Sequence, residues 1–98
     1  MYFITVIEDF DKDYGVKGCS RCVGYYNTFE KANKAVRENK CDLWETCYNY
    51  AVIEKIEEGL YQTSYEKRWF YKFDCDKGIY EPIEEPEEVK HWCNFAIG

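Results

Sequence analysis

Histidine occurs once, proline twice and glycine six times in this 98-residue chain, and basic residues are outnumbered 19 to 13 by acids. Each shortage excludes something. So few prolines and glycines argue against a disordered or low-complexity chain. No apolar run approaches the length of a bilayer-crossing helix. A net charge of −6 argues against a broad nucleic-acid surface, which needs a basic face to neutralise phosphates. A single imidazole, His91, leaves little scope for acid–base chemistry. Beside Cys93 it could build a thiol dyad, but no nucleophile motif precedes it, and an ordinary partly exposed histidine is the favoured reading. The opening "MYFITVIEDF" has neither a basic leader nor a small-residue cleavage site, so a cytosolic chain with reduced thiols is expected. No repeat and no internal linker is visible, and residues 1–98 read as one domain.

What the chain has in quantity is aromatic area: 19% of residues, led by ten tyrosines. Large rings bury much surface per residue and let a short chain offset its ordering entropy. "YFITVI" reads as a strand buried on both faces, and "RCVGYY" as a second strand returning antiparallel across an Asp- and Gly-containing loop. "NTFEKANKAVRENK" predicts an amphipathic helix. Phe29, Ala32, Ala35 and Val36 share one face, and Asn27 with Glu30, or Thr28 in its place, supplies the cap. Asp42 and Glu45 repeat the capping spacing and predict a short second helix. "YAVIEKIEEG" predicts a central strand, "KRWFYKF" and "IYEPI" a hairpin with Pro82 on an edge strand, and "CNFAIG" a segment returning to the sheet. The expected fold is α+β: a mainly antiparallel sheet of five to six strands, with one main helix and a short one packed on one face.

Four constellations invite a chemical reading. Cys19-Ser20-Arg21-Cys22 has zinc-knuckle spacing, but residues three apart in a strand point to opposite faces. Further ligands would have to come from Cys41, Cys47, Cys75, His91 or Cys93, so plain thiols in a strand are favoured. A redox couple would need a helix N-terminus after the pair, where a strand is expected. Asp9, Asp11 and Asp13 alternate as in a calcium loop, yet the glycine and closing glutamate of an EF-hand are missing. Glu81, Glu84, Glu85, Glu87 and Glu88 fall within eight residues. Their bland reading is a solvated turn, and their sharper one is an array of carboxylates facing a basic groove on a partner. Alternation puts Trp69, Tyr71 and Phe73 on one sheet face and Phe70 and Lys72 on the other. One face must cover the helix, and an uncovered aromatic face would mark a partner site or a homodimer seam.

The stretches "YFITVIED", "SRCVGYYNTFEKANKAV", "DLWETCYNYAVIEKIEEGLY", "RWF" and "KHWCNFAIG" together resemble small proteins carried by phages and mobile elements of gut Firmicutes. That resemblance implies a genomic setting rather than a mechanism. Proteins of this kind include anti-CRISPR proteins and other inhibitors of bacterial immunity, which tend to be short, acidic and non-enzymatic. The expectation is therefore a cofactor-free inhibitor of a host defence complex, acting through protein contacts without direct nucleic-acid or membrane binding. Asp9, Asp11, Asp13, Glu81, Glu84, Glu85, Glu87 and Glu88 would supply attraction, and exposed rings at Trp69, Tyr71 and Trp92 the anchors. Two alternatives stand beside it. One is a nucleotide sponge using Arg21, Arg37, Lys67 and Arg68, and the other a zinc-stabilised interaction module.

Overall fold

A computed structural model describes residues 1–11, 13, 15–39, 48–59, 67–90, 92 and 94–96. Strands β1 (Tyr2–Asp11), β2 (Gly15–Tyr26), β3 (Tyr50–Lys55), β4 (Lys67–Asp74) and β5 (Ile79–Ile83) form one five-stranded sheet in the order β2-β1-β3-β4-β5. Every neighbouring pair is antiparallel. With helix α1 (Phe29–Arg37) and, among the described residues, a 3-10 turn at Glu87–Val89, the domain is α+β as expected. The second helix predicted around Asp42 and Glu45 lies outside the described residues.

β3 is the central strand, and four of its six residues are buried. That explains why "YAVIEK" carries apolar residues on both faces. β1 is tied to its end as well as to its ladder: the Met1 ammonium donates to the Ile56 carbonyl at 3.1 Å, and the Ile56 N–H returns to the Met1 carbonyl at 2.9 Å. The β1–β2 turn is shaped by Asp11, whose Oδ1 accepts from the Asp13 N–H at 2.7 Å. Gly15 leaves the turn at φ 87°, where a side chain would be strained.

α1 lies across one face. Its cap is Thr28, whose hydroxyl accepts from the Lys31 N–H at 3.3 Å, rather than the alternative Asn27–Glu30 pair. Ala32, Ala35 and Val36 meet Ile4, Val6, Ala51, Ile53, Tyr71 and Tyr80 in the larger core. Small alanines let the helix approach a sheet already thick with rings. Thr28→Ala should cost about 1 kcal/mol, read as a lowered urea midpoint with an unchanged slope.

The opposite face is not left open. The described residues after Ile83 (84–90, 92 and 94–96) cross it as a strap, and none of them is in a strand. Val89 joins Ile7, Val52 and Phe70 in a second core, with Phe10, Val16, Tyr50, Ile83, Trp92 and Phe95 around it. The described part of the "CNFAIG" segment does not return as a strand. Its described residues, 94–96, pack over the sheet, because apolar side chains spaced three apart (Val89, Trp92, Phe95) cover a face without presenting an alternating edge.

Candidate partner-binding site

Strand alternation and the β4–β5 register create one groove beside the first turns of α1. Trp69 faces the helix, its ring centroid 4.3 Å from Phe29 and 6.1 Å from Tyr2, with the Lys67 ammonium 5.2 Å from the ring centre. Tyr71 lies one pleat further along and pairs across the ladder with Pro82. Its hydroxyl donates to Asn33 Oδ1 at 2.6 Å. The resulting groove holds about 230 Å³ and is lined by Phe29, Asn33, Trp69, Tyr71, Pro82 and Ile83, with Arg68 and Glu85 also on its wall. Ligand pockets usually hold about 300–1,000 Å³. This groove is smaller, and its scale suits one inserted side chain better than a nucleotide.

The rings expected as exposed anchors are mostly consumed by packing. Tyr71 is only 2% exposed, because it stands on the helix-facing side of an inner strand and its hydroxyl is satisfied internally. Trp69 is half-buried between Tyr2 and Phe29 and presents only its groove side. Trp92 stacks on Phe95 with centroids 5.1 Å apart, and its indole occupies the space where a Cβ on Gly15 would sit. Among the described residues, the large apolar ones left exposed are Met1, Val23 and Tyr25, none of which stood out in the sequence as an anchor.

The acids divide in the same way. Asp9 and Asp11 belong to the β1–β2 hairpin, where Asp9 Oδ1 accepts from the Phe10 N–H at 2.8 Å and Asp11 shapes the turn to Asp13. That hairpin pairs at one edge of the sheet, and Glu81 lies on β5 at the other. Glu81 contacts Arg37 and Lys77, each at 3.5 Å, and Glu87 holds Lys90 at 2.8 Å. Glu85 is bound to Arg68 Nε at 2.7 Å, so it fastens the strap instead of awaiting a partner. Glu84 and Glu88 have no ionic partner among the described residues, and Glu84 and Glu87 are exposed.

Two charged residues on buried strands explain that fastening. Glu54 and Arg68 sit opposite each other on β3 and β4, with side chains 0% and 2% exposed and 3.6 Å between charges. Glu54 accepts from the backbone N–H groups of Phe95, at 2.9 and 3.0 Å, and Ala96, at 3.1 Å. Arg68 donates to the carbonyls of Val89 at 2.8 Å and Trp92 at 3.2 Å. Burial pushes the Glu54 carboxyl above its ordinary range, and the two N–H groups and Arg68 partly offset that push. A signal for this pair was present in the sequence: a glutamate inside "YAVIEKI" and an arginine beside "WFY" are charges in otherwise buried strands.

The other constellations do not converge. Cys19 and Cys22 are exposed free thiols on opposite faces of β2, and burial pushes the Cys22 thiol up, away from a reactive thiolate. Cys41, Cys47, His91 and Cys93 lie outside the described residues. Among the described residues, no three His, Cys, Asp or Glu side chains gather as a metal set. The cations proposed for a nucleotide are dispersed: Arg21 on the β2 edge, Arg37 with Glu81, Lys67 over Trp69, and Arg68 inside the strap contacts. No helix of the described chain is long and apolar enough to cross a membrane. No protein-family model, curated relative or solved structure matches this chain.

Proposed function

We propose that this chain is a non-enzymatic binding protein of phage or mobile-element origin that inhibits a bacterial defence complex in the host cytoplasm, in the manner of anti-CRISPR proteins. The observation that carries the reading is the groove walled by Phe29, Trp69, Pro82 and Ile83, with Glu85 on its wall and the acids Glu84, Glu87 and Glu88 close to it in sequence. An apolar socket beside negative charge fits a basic segment of a protein partner that inserts one apolar side chain. The acids speed encounter, and the desolvated socket supplies affinity. Exclusion of the partner's nucleic acid would follow from occupation of its basic surface, with no nucleic acid bound by this chain.

Plaquing of a phage on a panel of strains, each carrying one defence system, tests the reading. Expression of the chain should restore plaquing on at least one strain by roughly 100-fold or more, the scale of an inhibitor that keeps its target occupied. Pro82→Arg places a cation on the groove wall from an exposed edge-strand position and should abolish the rescue without lowering the melting temperature. Absence of rescue on every strain would overturn the inhibitor reading, and full rescue by Pro82→Arg would remove the groove from it.

A further inference from the structure

We propose that the groove reads a main-chain carbonyl as well as an apolar side chain, and that the Asn33 carboxamide is the donor that reads it. This deepens the groove reading above and rests on it. Asn33 stands on α1, lines the groove and is half-exposed. Its Oδ1 is already engaged, because the Tyr71 hydroxyl donates to it at 2.6 Å. Tyr71 is buried, and among the described residues no other acceptor meets that hydroxyl. A buried hydroxyl needs an acceptor, so this contact fixes which end of the amide carries oxygen. Nδ2 therefore points away from Tyr71. Among the described residues its N–H groups meet no acceptor within the chain.

The other donors on the wall are placed differently. Arg68 is engaged by the carbonyls of Val89 and Trp92 and by Glu85. The Trp69 indole N–H is uncommitted among the described residues, but no hydrogen bond aims it. An apolar side chain entering between Phe29, Trp69, Pro82 and Ile83 brings its own peptide carbonyl to the mouth of the groove. The half-exposed Asn33 amide meets that carbonyl there and replaces the water it loses. The acceptor is a neutral carbonyl rather than a carboxylate, because Glu85 stands on the same wall and repels a second anion. The groove thus selects a residue within a peptide over a bare hydrocarbon or an acidic ligand. Tyr71 touches no partner in this arrangement and acts as a positioning residue.

Asn33→Asp separates this contact from simple attraction, since charge and donor act on it with opposite signs. The aspartate still accepts from Tyr71, and Arg37 favours an acid four residues before it on α1, so the fold is kept. The probes are acetyl-Lys-X-Lys-amide peptides, with X leucine, methionine or phenylalanine, titrated into the isotope-labelled full chain and followed by NMR. In wild type, the tightest of them should shift Trp69 and move one Asn33 side-chain amide proton downfield. Were attraction alone at work, the added carboxylate would tighten these doubly cationic probes. The donor requires the reverse, a roughly tenfold weaker affinity in Asn33→Asp. Equal or tighter binding by Asn33→Asp, or a shift at Trp69 with none at the Asn33 amide, would overturn the carbonyl contact and leave the groove standing. Probes that move neither residue, or that bind Pro82→Arg as tightly as wild type, would overturn the groove reading and this inference with it. If Asn33→Asp does not fold, the wild-type amide shift decides the same question.

Discussion

Between pH 10 and pH 12 the domain is expected to lose about 5 kcal/mol of stability through two of its ten tyrosines. Burial pushes the hydroxyls of Tyr71 and Tyr80 from 10 up to about 12, and only for Tyr71 does a cation, Arg37, pull weakly the other way. Both side chains are nearly fully enclosed, at 2% and 0% exposure. Each hydroxyl donates inside the fold, Tyr71 to Asn33 Oδ1 and Tyr80 to the Tyr48 carbonyl at 3.1 Å. In the unfolded chain both lose their protons near pH 10, while the folded chain keeps them to about pH 12. Across that window the unfolded state binds fewer protons, so stability falls as pH rises, and the loss levels off above it. Each pKa unit is worth about 1.4 kcal/mol, which gives roughly 2–3 kcal/mol per ring. That is a large part of the 5–15 kcal/mol typical of a domain. Urea midpoints taken from about pH 9 upward should drop steeply, and the drop should flatten in a Tyr71→Phe, Tyr80→Phe double variant. An unflattened slope would place the alkaline instability elsewhere, in lysines or thiols.

Association with the target is expected to slow by 10- to 100-fold at low ionic strength when Glu84, Glu87 and Glu88 are all changed to lysine. These three are chosen from the acidic run because their removal leaves the fastening of the strap intact. Glu85 is committed to Arg68, and its reversal would confound binding with folding. Long-range attraction should dominate the effect. The difference between wild type and variant should therefore shrink as salt rises and the screening length falls from about 30 Å at 0.01 M to about 8 Å at 0.15 M. Stopped-flow mixing with the defence complex singled out by the plaquing panel gives the rate directly. Equal rates at low salt would remove the acidic tract from the mechanism. A changed dissociation rate with an unchanged association rate would instead recast these carboxylates as contact residues.

Strand composition and alternation were enough to read the sheet. "YAVIEK" declared itself central by being apolar on both faces, Pro82 put "IYEPI" on an edge, and Trp69, Tyr71 and Phe73 do share the helix-facing side. The strap was legible only in its local form: "EEPEEVKHW" reads as one helical turn or a loop, and a 3-10 turn stands at Glu87–Val89, but its course over the sheet could not be read. Val89, Trp92 and Phe95 recur at neither strand nor helix spacing over a useful length, and what orders them is supplied from far away in sequence. Glu54 reaches Phe95 across 41 residues and Arg68 reaches Val89 across 21. Local pattern marks Glu54 and Arg68 as charges in buried strands, but it does not say which distant main chain they hold. The candidate site shows the same division. Counting rings and acids picked out Trp69 and the strap glutamates, but not that Tyr71 and Glu85 are used up internally. Phe29, Asn33 and Pro82 become groove residues only through the β4–β5 register and the placing of α1.

The order of strands also sets the timetable on which the chain can acquire its structure. β1 and β2 are neighbours in sequence, as are β4 and β5, and each pair can close quickly as a hairpin. β3 is different: its ladder with β1 is sealed by the Met1–Ile56 contact, which spans 55 residues. Closing so long a loop is entropically costly and slow relative to hairpin formation. During synthesis the first hairpin therefore leaves the ribosome with Ile4, Val6 and Ile7 uncovered, and it must wait for residues past 50 before its inner edge is paired. The bulges between Ile4 and Thr5 and between Ile7 and Asp9 twist that waiting hairpin away from flatness, which protects it from joining the wrong edge in the interval.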